Sequence, residues 1–133
     1  VTEVDWKALA AQAQPTTNRV RLCLRGDLVS RQEAGEIGLE DEIEAATVDF
    51  VLRGLNRQTY RNLEAKYPDP DGDGGWDLDT FPEALVRECL AEPVVAADDP
   101  LFDILTPGQV EALFEAAFKA CNEVTQVPLH KRG

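Results

Sequence analysis

Two short runs of alternating apolar and polar residues constrain this chain most. From Asn18 to Gly26, Val20, Leu22 and Leu24 alternate with Arg19, Arg21 and Arg25. From Thr47 to Arg53, Val48, Phe50 and Leu52 fall on one face. A period of two is the signature of a strand with one face buried and one in water, so each run is read as a strand, the first with a basic outer face. The two are expected to pair, with residues 27–45 as an excursion between them. A parallel crossover and an antiparallel long connection are both compatible with that spacing.

The remainder carries helical spacing. Trp6, Leu9, Ala10 and Ala13 form a stripe that stops near Pro15. Asp27 is placed to cap the polar excursion, which Gly35 and Gly38 break into two short helices or one weak one. Tyr60, Leu63 and Tyr67 predict a helix from Asn56 to Pro68, followed by a Pro, Gly and Asp loop over 68–79. Thr80 and Glu83 have capping-box spacing before a helix with Phe81, Leu85 and Cys89 on one face, ending by Pro93. After a loop over 93–100, Leu101, Phe102, Ile104 and Leu105 make a short apolar turn. Thr106 and Gln109 form a second capping box, with Pro107 where a helix tolerates it. The strongest helix follows, with Val110, Leu113, Phe114, Ala117, Phe118 and Cys121 at i, i+3, i+4 spacing. The expected fold is a mostly helical α+β domain over residues 1–124. It has a small two-stranded β element near the N-terminal half, a helical C-terminal half, and a flexible tail over 125–133.

Charge narrows the function classes. The chain of 133 residues has 25 Asp and Glu against 13 Lys and Arg, a formal net charge of −12. That argues against nucleic acid, which needs a basic face to displace counterions, and against docking on an anionic membrane. Hydrophobic content of 44% is too high for a disordered acidic chain. The acidity is local: residues 69–103 hold 11 acids and one base, Arg87, for a net of −10. No run approaches the roughly 20 apolar residues of a membrane span. The segment Val1 to Trp6 lacks the basic start and apolar stretch of a secretory signal, so a soluble, cytoplasmic protein is expected.

Catalytic chemistry has little to build on. The one histidine, His130, lies in the expected tail, which gives a nucleophile–base pair no fixed geometry. Cys23, Cys89 and Cys121 are odd in number and lack metal-like spacing, so they read as reduced, partly buried thiols packing as small hydrophobes. No phosphate-cradling glycine loop is present. No catalytic residue and no obligatory cofactor are expected, and the chain does not read as an enzyme.

One motif has metal chemistry. Asp69, Asp71 and Asp73 occupy the first three oxygen-ligand positions of an EF-hand-like calcium loop, Gly74 the sharp turn and Asp77 the ninth position. Position twelve is Thr80 where a bidentate Glu is needed, Asp79 comes one residue early, and no second loop exists to pair with this one. Gathered carboxylates on a loop still attract Ca²⁺ weakly. The alternatives are a degenerate calcium module using these four aspartates and a solvated acidic turn.

The order of elements from the second strand onward, with the segment Trp76 to Cys89, Ala91 to Pro93, the segment Leu105 to Phe118, Asn122, and Val127 with Pro128, resembles tail-assembly-chaperone-like proteins of long-tailed actinobacterial phages and prophages. The first strand, Val20 to Leu28, fits the N-terminal part of such proteins, so the resemblance covers most of residues 15–128. It rests on element order and on the neighbourhoods of Asp79 to Pro82 and Leu113 to Phe118. The excursion between the strands is shorter here and the loop richer in Asp than in similar proteins. The resemblance implies a non-enzymatic protein that binds the helical tape-measure protein, keeps it soluble, helps recruit tail tube protein and is absent from the finished virion. A structural tail or head–tail component retained in the virion is the other reading of this kind. Residues expected to meet the client are Phe81 and Leu85 near the acidic loop, and Phe114 and Phe118 on the last helix.

Overall fold

A computed structural model describes residues 3–124. The elements run α1 (Trp6–Gln12), β1 (Thr17–Cys23), α2 (Gly26–Glu33), α3 (Glu40–Ala45), β2 (Thr47–Arg53), α4 (Arg57–Lys66), α5 (Phe81–Cys89), β3 (Leu90–Glu92), α6 (Leu101–Ile104) and α7 (Pro107–Asn122). The fold is α+β and mostly helical. The tail expected over 125–133, with His130, lies outside the described residues. Among the described residues no helix is long and apolar enough to cross a membrane.

The two alternating runs form β1 and β2, and they pair antiparallel. Val20 faces Phe50 and Leu22 faces Val48, so the apolar positions of both strands fall on one face. Arg21 stands opposite Asp49 on the other face, where it also pairs with Glu44 at 2.8 Å; both pairs are exposed and contribute little. The expectation of two strands needs correction, because β3 adds to the free edge of β2 in the order β1-β2-β3. Leu90 pairs with Leu52 and Glu92 with Val51, across a register irregularity. At three residues β3 is too short to show alternation, and α5 runs into it with no turn between.

Helices α5 and α7 cover the apolar face of the sheet. The core joins Phe50 and Leu52 from β2, Leu63 from α4, Phe81, Leu85, Val86 and Cys89 from α5, Leu105, and Leu113 and Ala117 from α7. Helix α7 starts at a complete capping box: Gln109 N–H donates to the Thr106 hydroxyl, and Thr106 N–H donates to Gln109 Oε1. The Gln109 amide nitrogen then donates to the Cys23 carbonyl at 3.2 Å, tying the first turn of α7 to the end of β1. Further along α7, Asn18 Nδ2 donates to the Ala116 carbonyl at 3.0 Å. The helix is thereby fixed to β1 at two points.

Two local expectations are corrected, and one helix forms as expected. Thr80 precedes α5 without a side-chain capping bond; Phe81 N–H instead donates to the Asp77 carbonyl. Asp27 sits inside the first turn of α2 and pairs with Arg25 at 2.7 Å, rather than capping the helix. The guanidinium beside it holds the Asp27 carboxyl below its ordinary range. The stripe of α1 forms a helix capped by Asp5 but buries nothing, leaving Trp6 and Leu9 exposed.

At Gly54, just after β2, the chain runs close against the backbone of α7. A Cβ there would overlap the Ala120 carbonyl oxygen of α7 and lie 2.9 Å from its carbon. Glycine is needed at this position for proximity, since a side chain would lift the end of α7 off the sheet. Gly54→Ala is expected to destabilise the fold by about 1–3 kcal/mol in urea unfolding. Gly108→Ala, in the first turn of the same helix with open space around it, is expected to leave stability unchanged or slightly raised.

Candidate functional site

The expected client-binding residues separate into two groups. Phe81 and Leu85 are fully buried, which corrects their assignment: they are core side chains of α5 and offer no surface to a partner. Phe114 is half-buried and Phe118 is 38% exposed. The difference follows from two apolar stripes on α7. Leu113, Ala117 and Ala120 are buried, while Val110, Phe114 and Phe118, at i, i+4, i+8, run beside them only partly covered.

Val110 and Phe114 of the second stripe form one wall of an open groove. Leu78 from the loop before α5, Pro82 in its first turn, Phe102 on α6, and Val110 and Phe114 on α7 line it. Leu78 is 76% exposed, and with the partly covered Phe102, Val110 and Phe114 beside it the apolar surface here is contiguous. Asp79, Glu83 and Glu111 stand at the rim, so the groove is apolar inside and acidic outside. The one base of the acidic segment, Arg87, is already engaged. Its guanidinium lies 4.2 Å from the centre of the Phe102 ring and 3.3 Å from Glu83.

Trp76 shapes the floor. It stacks on Phe81 with ring centres 4.7 Å apart and meets Phe114 edge-on at 5.6 Å. Phe114 in turn leans on Phe118, giving an aromatic row from the loop to the last turns of α7. Local pattern places Phe102 in an apolar turn and Val110 on the α7 stripe but does not bring Trp76, Leu78, Phe102 and Val110 together. The one available signal was the stripe of α7, which carries more apolar positions than a single buried face uses.

The acidic loop folds as a backbone-closed turn. Asp77 N–H donates to the Tyr67 carbonyl at 2.8 Å, and Pro68 bridges Trp76. Gly72, Gly74 and Gly75 all adopt positive φ, which a side chain would oppose. Asp69 accepts from Asp71 N–H and Asp77 from Asp79 N–H, so two of the four candidate ligands serve local turns. Among the described residues no three His, Cys, Asp or Glu side chains come together as an ion requires, and Asp69, Asp71, Asp73 and Asp77 form no such group. A Ca²⁺ titration followed by Trp76 emission in a Trp6→Phe background separates the two readings of the loop: a solvated acidic turn predicts no change at millimolar Ca²⁺. A saturable change would show that the loop rearranges around the ion.

No model of a known protein family, no curated protein and no solved structure matches this chain.

Proposed function

We propose that this protein is a tail assembly chaperone of a long-tailed phage or prophage, which holds the tape-measure protein in soluble form while the tail is built. The observation that carries the reading is the open groove in which Val110 and Phe114 of the second stripe, packed on the core but only partly covered, stand with Leu78 and Phe102. Apolar side chains repeating every turn, with a groove on one side, suit an amphipathic helix whose own apolar residues recur at i, i+3 and i+4. The acidic rim of Asp79, Glu83 and Glu111 favours a client helix with Lys or Arg flanking its apolar stripe. The net charge of −10 over residues 69–103 would keep a complex with a sticky client dispersed.

In this reading the client is held by burial of apolar surface and released when tube subunits take it over. No bond is made or broken, and the protein stays behind in the host cytoplasm when the virion is complete.

Co-expression with helical fragments of the tape-measure protein from the same genome tests it. At least one fragment is expected to co-purify with the wild-type chain. Leu78→Glu, in the groove and already exposed in the folded chain, should weaken capture about tenfold or more, as for loss of a central interface contact, and Phe118→Glu, beside the groove against Phe114, should weaken it less. Failure of every fragment to bind would overturn the proposal.

A further inference from the structure

Cys89 and Cys121 stand 32 residues apart in the sequence, yet their sulfurs lie 3.7 Å from each other. They are at the C-terminal ends of α5 and α7, the two helices that cover the sheet. The pair is unsymmetrical. Cys89 is fully buried in the core. Cys121 is half-buried and lines a surface depression with Arg53, Leu55, Asn56 and Thr59. The Leu55 backbone N–H donates to the Cys121 sulfur at 3.3 Å, a contact that favours sulfur in its anionic form.

We propose that Cys89 and Cys121 are a reversible redox pair, in which a peroxide oxidises Cys121 and Cys89 then closes a disulfide joining α5 to α7. The Cys121 thiolate attacks one peroxide oxygen. The O–O bond breaks, hydroxide leaves with the electron pair, and Cys121 becomes a sulfenic acid. The Cys89 sulfur then attacks the Cys121 sulfur. The S–O bond breaks, and the departing oxygen takes up the Cys89 proton to leave as water. The two sulfurs together give up two electrons, and the peroxide accepts them.

The surroundings assign the two roles. Hydrogen bonding from the Cys89 thiol, with Leu55 N–H, brings the Cys121 thiol down to about 7. The Cys89 thiol is pushed up, first by its hydrogen bond to Cys121 and then by burial, so it keeps its proton until the second step. The other titratable groups acting on the pair are Arg53 at the end of β2, Glu88 on α5 and Tyr60 on α4. Closing the bond needs the sulfurs to approach by about 1.7 Å, to an S–S length near 2.05 Å. Cys121 is the next-to-last residue of α7, where a terminal turn can adjust.

The test uses the reduced full chain, treated with a few equivalents of hydrogen peroxide. The three free thiols are expected to fall to one, with loss of the mass of two hydrogens. Peptide mapping should find Cys89 linked to Cys121, and dithiothreitol should restore all three thiols. Cys23→Ser should leave the link intact, and Cys121→Ser should keep both remaining thiols at the same dose. Mapping of the wild-type chain decides the matter by itself if a variant fails to fold. Three thiols surviving the treatment, a link that uses Cys23, or Cys121 carried on to sulfinic acid with Cys89 still free would each overturn the proposal.

Discussion

The seating of α7 on the sheet is the constraint on which the rest of the molecule depends. Gly54 lets the helix backbone come into contact with the chain leaving β2, and Gln109 and Asn18 fix its start and its middle to β1. With the helix held there, Leu113 and Ala117 complete the core of β2, α4 and α5, and Ala120 is buried on the same side. The same rotation about the helix axis leaves Val110, Phe114 and Phe118 at the margin. A helix set further from the sheet would demand bulkier inward residues than Ala117 and Ala120, and the marginal stripe would turn with it.

The acidic segment takes its place in this arrangement through aromatic contacts. Trp76, folded back onto Phe81 and Phe114, ties the loop to the helical layer, while the Tyr67–Asp77 backbone bond closes its neck. Leu78 is consequently carried to the groove edge, and Asp79 and Glu83 to its rim. A segment that is only highly charged in composition becomes, in three dimensions, an acidic border around an apolar trough.

Much of the fold was legible in the sequence because its elements are long enough for periodicity to speak. Both main strands, the helix from Asn56, and α7 with its Thr106–Gln109 box follow from local pattern. Strand β3 was not legible, since three residues after an uninterrupted helix carry no alternation. The Thr80 cap was misread because Ser or Thr three residues before Glu is necessary for a capping box but not sufficient: here the Asp77 turn fixes the entry to α5 instead. The site was half legible. The stripe of α7 named Phe114 and Phe118, but spacing cannot tell a stripe that closes from one that stays open. That depends on which residues from distant segments lie opposite, and Phe81 and Leu85 turned out to have the core on every side.

In the proposed reading one helix serves two purposes: its inner stripe holds the scaffold together, and its outer stripe holds a client. Amide hydrogen exchange with and without a bound amphipathic client helix tests this most directly. The account predicts added protection over residues 76–83 and along the second half of α7, with the outer face of β1 around Arg19 and Arg21 unchanged. Protection that falls on that outer face, or that leaves residues 76–83 and α7 untouched while the client is bound, would contradict it.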